Sequence, residues 1–598
     1  MGRATFQKLI RSPSIATFQT IPTPAQNNLM KTPPLIAVTI LCILSATPRS
    51  SAATSVTTQP AGNLSPNNAT LNGTVTPGGQ STSVYFEFGA TTNYWNLTAL
   101  TSIGSGGSAR SVSARVTGLL AGSAYHFRAV ATNSSGITQG NDLEFTPPVF
   151  TRTETALSGL ASSAVAWGDF NNDGKLDLLM TGTDDAFSPR SQVLQNIGTN
   201  RFINLNAGLP GLPSVSSGSV VWGDFDNDGK LDFLLTGFAG LDANHFPILV
   251  SQIWRNLGGG AFANINAGLP GTDTGSAAWG DFDDDGNIDL LLTGHSSLGA
   301  IAQIWRNQGN GTFTRLNAGL TGVLYSSVAL GDFDGDGKVD ILLAGTTNGF
   351  VAGAITQVWR NRGNGVFSNI NAGLPGISQG TVTWGHFGND DRLDILLTGY
   401  SSTGPIAQIW RNLGDGVFTN MHAGLPGVSQ SAVAVGDFDN DDRLDVLLSG
   451  VDASTNTICQ LWRNSGEGAF TSVSTGLPGV RSGSLAWADF DNDGRLDLVL
   501  TGYDSDNKPF CGLYHNHTAL GNSLQPHLLD SKKLSDGRFQ FSFKGKTGLG
   551  YLISTSTNLI DWTPLAAPRE SSQGTFHFRD TGAGISRAQF YRTTIADF

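Results

Sequence analysis

The stretch GDFDNDGKLD, residues 223–232, places carboxylates at Asp224, Asp226, Asp228 and Asp232. Carboxylates this close repel and raise one another's pKa, so the stretch is either fully solvated or neutralised by a cation. Counting from the first Asp of the nine-residue loop, oxygen-bearing side chains fall at positions 1, 3, 5 and 9. Gly229, at position 6, permits a sharp turn that aims alternate side chains at one centre. Calcium takes about 6–8 oxygen ligands, a backbone carbonyl commonly among them, and suits this donor set. The chemistry expected is cation ligation.

The loop recurs. Intact copies are Asp169, Asn171, Asp173 and Asp177; Asp224, Asp226, Asp228 and Asp232; Asp281, Asp283, Asp285 and Asp289; Asp332, Asp334, Asp336 and Asp340; Asp437, Asp439, Asp441 and Asp445; and Asp489, Asp491, Asp493 and Asp497. Position 7, the candidate carbonyl, is Lys175, Lys230, Asn287, Lys338, Arg443 or Arg495, and Asp442 replaces the position-6 Gly in its copy. A further copy, HFGNDDRLD, puts His386 and Gly388 at positions 1 and 3 and keeps Asp390 and Asp394. It is expected to hold no calcium, so six ions are expected, one per intact loop. A simple Asx turn needs one or two such residues, not four at fixed spacing in copy after copy.

Charge agrees with this reading. The seven loops contain 28 of the chain's 47 acidic residues and six basic ones, so the loops carry −22 and the remainder +10. Six divalent ions would cancel the formal net charge of −12. The acidity argues against nucleic acid as a partner.

Successive loops begin 51–57 residues apart, a period that means a propeller, a solenoid or an array. Within each unit an apolar stretch such as SVVWGDF enters the loop, LDFLLTG leaves it, SQIWRN follows, and a Gly-rich turn leads to ANINAGLPG. That reads as four short strands, the content of one propeller blade. The last unit stops after its third strand, and residues 149–160 match the fourth-strand pattern, so the two ends can close a ring. The expected fold is all-β: a leader over 1–53, a β-sandwich over 54–148, a seven-bladed β-propeller over 149–518, and a small β-rich module over 519–598.

The units resemble FG-GAP repeats, also called VCBS repeats, as in the integrin α-subunit propeller and many secreted bacterial proteins; the matching residues are GDFDNDGKLDFLLTG and NLGGGAF, with close copies in every unit. The resemblance covers 149–518. It implies a seven-bladed propeller with calcium in hairpin loops on one face, and roles in adhesion or ligand binding. Six plausible loops, more than the integrin pattern has, favour a structural role for the ion. GLLAGSAYHFRAVATNSSG, 118–136, resembles the second half of a fibronectin type III domain, with Tyr125 as its corner tyrosine and Phe127 and Ala129 or Ala131 on the following strand. FQFSFKGKTGLGYLISTSTNLIDWTPL resembles C-terminal β-modules of large secreted bacterial proteins, and no site is carried across from them.

Met30-Lys31, the apolar run LIAVTILCIL and the small residues ending at Ala53 form a secretory signal pattern, preceded by a stretch that is either an extended leader or untranslated sequence before Met30. No later segment is long and apolar enough to be transmembrane. Cys459 and Cys511 occupy matching positions in adjacent units and are expected as buried thiols. GISQG at 376–380 matches a hydrolase elbow, but the next unit reads GVSQS there, which makes it a repeat linker. His515 and His517 alternate on one strand without an evident third ligand for zinc. Trp254, Trp305, Trp359, Trp410 and Trp462 recur at one strand position and read as packing between units. The variable segment 238–250 is a candidate ligand contact. The expected function is a monomeric, secreted or periplasmic, cell-surface protein, non-enzymatic, binding an extracellular protein or polysaccharide. The alternatives are a lectin-like module of a polysaccharide-degrading system and a propeller-scaffold polysaccharide lyase.

Overall fold

The computed structural model describes residues 53–518, apart from 156, 207, 208, 210, 389 and 467, and beyond 518 the strands 527–533, 539–544, 551–556, 563–566, 570–572, 575–579 and 590–595. The expected leader lies outside the described residues up to residue 52. Among the described residues the regular elements are β-strands, with a 3-10 turn at Val351–Gly353.

Each repeat unit forms consecutive antiparallel strands. In the second unit these are Val220–Gly223, Asp232–Leu241, Pro247–Gly258 and Ala261–Asn264, with Gly223 opposite Asp232 and Phe233 opposite Trp254. The second strand of a unit is buried on both faces, as Asp289–Ser296 illustrates, which is why its sequence is a continuous apolar run instead of an alternation. The short segment Thr272–Asp273 pairs with the strands on either side of it and joins the second and third units into one sheet.

Apolar cores lie between consecutive units. Phe170, Leu179 and Val193 of the first unit pack with Val220, Phe233, Leu235 and Trp254 of the second. The same arrangement repeats along the chain, and Leu178, Met180 and Leu194 of the first unit pack with Val499, Cys511 and Leu513 of the seventh. Close approach explains the Gly that precedes six of the loops, Ala488 standing before the seventh: a Cβ on Gly168 would lie 2.8 Å from Trp222, and one on Gly223 would lie 2.6 Å from Trp279. The five third-strand tryptophans sit in these cores, their indole N–H groups donated to a Gln two residues earlier at 3.0–3.2 Å.

A cycle of side-chain hydrogen bonds and a shared strand tie the units together. The buried Asn that ends each third strand donates its amide to the carbonyl of a Phe in the preceding unit: Asn256 to Phe170, Asn307 to Phe225, Asn361 to Phe282, Asn412 to Phe333, Asn464 to Phe387 and Asn516 to Phe438, at 2.7–3.4 Å. Asn196 of the first unit donates to Phe490 of the seventh at 3.1 Å, so the series returns to its start. The last sheet takes its fourth strand from the other end of the repeat region. Phe150–Arg152 pairs with the strand Pro509–Asn516, Thr151 opposite His515.

Residues 55–145 form a three-stranded and a six-stranded sheet around Ala69, Leu71, Phe86, Phe127, Ala129 and Phe145. The Tyr125 hydroxyl accepts the Leu120 N–H at 3.0 Å, a tether back to the preceding turn. Ala131 is buried beside Val75 and Val84. The described strands beyond 518 make two small sheets. Cys459 and Cys511 are buried, unbridged and in different cores, and burial pushes both thiols up to about 12.

Asn412 also donates to the Leu393 carbonyl at 3.1 Å and accepts the Gly414 N–H at 2.9 Å. Asn412→Ala removes the partner of the buried Phe333 carbonyl and of the half-buried Leu393 carbonyl and Gly414 N–H. The expected loss is roughly 2–4 kcal/mol, at about 1–3 kcal/mol per orphaned group. Urea denaturation of wild type and variant measures it; an unchanged midpoint would show that the cycle adds nothing.

Candidate metal centres

The first strand of a unit ends one residue before the aspartate loop, and the second strand begins at its position-9 Asp. Between them the position-1 carboxylate closes the turn. In six loops it accepts the N–H of position 5 at 2.8–3.1 Å and that of position 6 at 2.8–2.9 Å. Position 6 adopts a left-handed backbone, with Gly229 at φ +84°. Asp442 takes the same conformation at φ +67°, which Asp tolerates, so the loss of Gly in that copy leaves the turn intact.

Position 9 does more than the spacing indicated. Asp177, Asp232, Asp289, Asp340, Asp394, Asp445 and Asp497 are all buried. One oxygen of each accepts the backbone N–H of the third-strand Asn at 2.7–2.9 Å. In six units the other accepts the N–H of the loop Phe at 3.1–3.2 Å. Burial pushes Asp177, Asp232 and Asp340 up to about 7, Asp289 to about 6 and Asp445 to about 8.

Position 3 is the unsatisfied member. Asp226, Asp283, Asp334 and Asp439 each keep a buried carboxylate oxygen with no hydrogen-bond partner. Their facing oxygens lie within 4.8 Å of neighbouring carboxylates: Asp224, Asp226 and Asp232; Asp281, Asp283 and Asp285; Asp332, Asp334 and Asp336; Asp437, Asp439 and Asp445. A buried, unpartnered carboxylate oxygen is costly, and an all-oxygen cluster around it fits a hard divalent cation.

The third strand also reaches this site. Arg255, Arg306, Arg360 and Arg463 place Nε 2.5–2.7 Å from the position-3 Asp and a terminal nitrogen 2.9–3.6 Å from the position-5 Asp. The W-R-N triplet was visible in the sequence, but nothing local shows that its Arg and Asn turn toward the aspartate loop on the far side of the intervening hairpin. This guanidinium offsets part of the loop charge and opposes a second cation.

Three copies differ. In the first, Asn171 replaces the position-3 Asp and accepts the Asp173 N–H at 2.9 Å, and Gln195 stands in place of the Arg. In the seventh, His515 takes the Arg position, with Nδ1 3.0 Å from Asp491 and 3.8 Å from Asp497. The two carboxylates and the imidazole form a further three-ligand cluster, so His515 does have companions, contributed by the loop and not by His517. The bond to Asp491 raises the His515 pKa and lowers that of Asp491. His517 turns instead to Thr151, at 2.6 Å. In the fifth copy Asp390 pairs with Arg411 at 3.1 Å, and one Asp394 oxygen accepts the Phe387 and Gly388 N–H groups.

Of the remaining motifs, Ser378 of GISQG is buried within a strand and stands opposite Tyr400, so it is no exposed nucleophile. Segment 238–250 forms the end of a long hairpin with Leu241, Phe246 and Ile248 exposed. Among the described residues no helix is long and apolar enough to cross a membrane.

A family model described as FG-GAP-like repeat matches residues 169–235, 281–343, 332–397, 387–448 and 451–500. The chain carries FG-GAP-like repeats. Cartilage acidic protein 1 of Xenopus tropicalis is 27% identical over 317 residues, 48% of this chain and 47% of that protein. This FG-GAP-like chain thus spans about half the length of the curated relative it matches. Among solved structures, the short form of the sensor domain of the anti-sigma factor RsgI4 from Pseudobacteroides cellulosolvens aligns at 19% identity and TM-score 0.14, covering 16% of this chain and 92% of that one. A tetra-tandem repeat from the extending region of a large adhesion protein aligns at 12% identity and TM-score 0.12, covering 91% of this chain and 99% of that one. Superpositions this loose carry no argument about the FG-GAP-like fold.

Two outcomes are expected of these loops. Arg463→Gln removes a positive charge from beside Asp439 and Asp441, so divalent-cation affinity at that loop should rise several-fold, measured by titration calorimetry. Weaker binding would mean that the guanidinium organises the site. The second concerns pH. An unfolded Asp titrates near 3.9, so folded position-9 values of about 7 mean that the metal-free folded chain holds protons the unfolded chain has released. Their contribution is complete below about pH 4 and is lost as pH rises through about 7. Metal-free protein should therefore melt lower at pH 8 than at pH 5.5, and a saturating divalent cation should narrow the gap. A metal-free melting temperature that rises over this window would contradict the assignment.

Proposed function

We propose that the repeats form a seven-bladed propeller stabilised by calcium, exported from the cell and acting at its outer surface as a non-catalytic adhesion or ligand-binding protein. The observation that carries the metal reading is the set of buried, unpartnered oxygens on Asp226, Asp283, Asp334 and Asp439. Each lies among other carboxylates in a cluster with no nitrogen or sulfur donor, a composition that suits calcium. The propeller reading is supported by seven cores and seven Asn-to-Phe bonds that return from the last unit to the first. Export is supported by the signal pattern before residue 54, and a relative named for cartilage is in keeping with an extracellular setting. The sandwich is proposed as fibronectin type III-like on its two sheets and the Tyr125 tether. The proposed complement is six ions, with the loop from His386 to Asp394 empty because His386 and Gly388 remove the carboxylates of positions 1 and 3.

Thermal unfolding with calcium and then with excess chelator tests this, alongside titration calorimetry. Each site saturated at about 100 times its Kd adds roughly 2.7 kcal/mol. A large chelator-induced drop with about six sites is the expected result. No drop and no heat would make the loops solvated turns and remove calcium from the proposal.

A further inference from the structure

At the end of each first strand remote from its aspartate loop, one residue per unit takes a left-handed backbone, from Ser162 at φ +45° in the first unit to Ser482 at φ +47° in the seventh. The series includes Thr274 at φ +47° and Tyr325 at φ +49°, residue types that rarely adopt this conformation. Backbone bonds between units hold it: Ser217 N–H to Ser162 O at 2.8 Å, Thr274 to Ser217 at 2.6 Å, Ser482 to Gln430 at 2.9 Å, and Ser162 to Ser482 at 2.7 Å. These residues converge from seven separate stretches of chain on one cavity of about 490 Å³, within the usual range for small-ligand sites. In the fifth unit the first strand, Ser378–Gly385, runs from the cavity to the loop and separates them by roughly 20 Å.

The lining is hydroxyl and amide groups with one charge. Ser162, Thr274, Gln379 and Gln430 supply hydrogen-bonding groups, and Tyr325, 41% exposed, supplies an aromatic face. The charge is Arg481. Its guanidinium donates to the Gln430 amide oxygen at 3.1 Å and the Asn507 amide oxygen at 2.6 Å, and stands 5.2 Å over the Tyr503 ring. Among the described residues no carboxylate lies within 4 Å of it, whereas the third-strand arginines at the loops are all paired with Asp. In a chain of net charge −12, an arginine that lines a polar cavity, is held there by two amide oxygens and has no carboxylate within 4 Å among the described residues points to an anion site.

We propose that this cavity binds a uronic acid residue of an acidic polysaccharide, with the sugar carboxylate on Arg481, its hydroxyls on the surrounding amides and hydroxyls, and its C–H face against Tyr325. The proposal rests on the ligand-binding reading above and names its ligand class. A bare anion would leave the hydroxyl and amide array unused, and a neutral sugar would leave Arg481 unpaired.

The full calcium-loaded chain, freed of excess ion, is titrated with galacturonate, glucuronate and mannuronate trimers, their methyl esters, acetate, and a peptide with a free C-terminal carboxylate, using saturation-transfer NMR. At least one acid trimer should bind at least tenfold more tightly than its ester. Arg481→Gln should lose at least tenfold in affinity for that trimer, and Arg481→Lys should retain part of it. The calcium-induced thermal shift of each variant should match wild type, which separates loss of this site from loss of the calcium-stabilised fold. Equal binding of acid and ester, full affinity in Arg481→Gln, or no trimer binding would overturn the proposal. Equal competition by acetate, or tighter binding of the peptide, would overturn its sugar component.

Discussion

A carboxylate buried at the start of every second strand organises these units. It accepts a backbone N–H from the third strand and, in six units, another from the loop, so one side chain ties three pieces of a sheet together. The Asn whose backbone it holds then sends its side chain to the preceding unit. Register within one sheet and docking on the next are set by the same pair of residues. This is why Asp at position 9 persists even in the fifth copy, where the first and third positions are His386 and Gly388. Such a carboxylate resists ionisation because burial removes it from water.

The loop built on that anchor has more negative charge than its own groups satisfy. In the second copy positions 1, 5 and 9 accept backbone N–H groups, and position 3 is left with an unpartnered oxygen and an arginine from the third strand. What the hydrogen bonds leave open is a carboxylate cluster that could hold a cation. The copies are therefore unequal: Gln195 and His515 replace the arginine at the first and seventh loops, and local balance differs from copy to copy although the spacing barely changes. Adjacent loops are also linked, since Asn172 donates to Gly229 O at 3.0 Å and Asn492 of the last loop donates to Gly174 O of the first at 2.9 Å. The loop ends of the strands thus carry charge and linkage, and their other ends carry the cavity lined by Arg481 and the hairpin of residues 238–250.

What the sequence by itself determined is local and repeated. The short strands of a unit and the ligand spacing of the loop concern residues within about a dozen positions, where backbone geometry alone dictates which side chains share a face, and the period is legible because the same local pattern recurs every 51–57 residues. Even the Asp442 substitution could be placed, because its backbone conformation belongs to the turn. Tertiary structure decided what depends on distant segments meeting. Arg255 lies 29 positions from Asp226 and Asn256 lies 86 from Phe170, and closure joins Asn196 to Phe490 across 294. His515 looked like a lone histidine until the fold set it beside Asp491 and Asp497. The cavity left the weakest trace of all. Ser162, Tyr325, Gln430 and Arg481 belong to separate units and share no chemical pattern, so their relation exists only where seven strand ends converge.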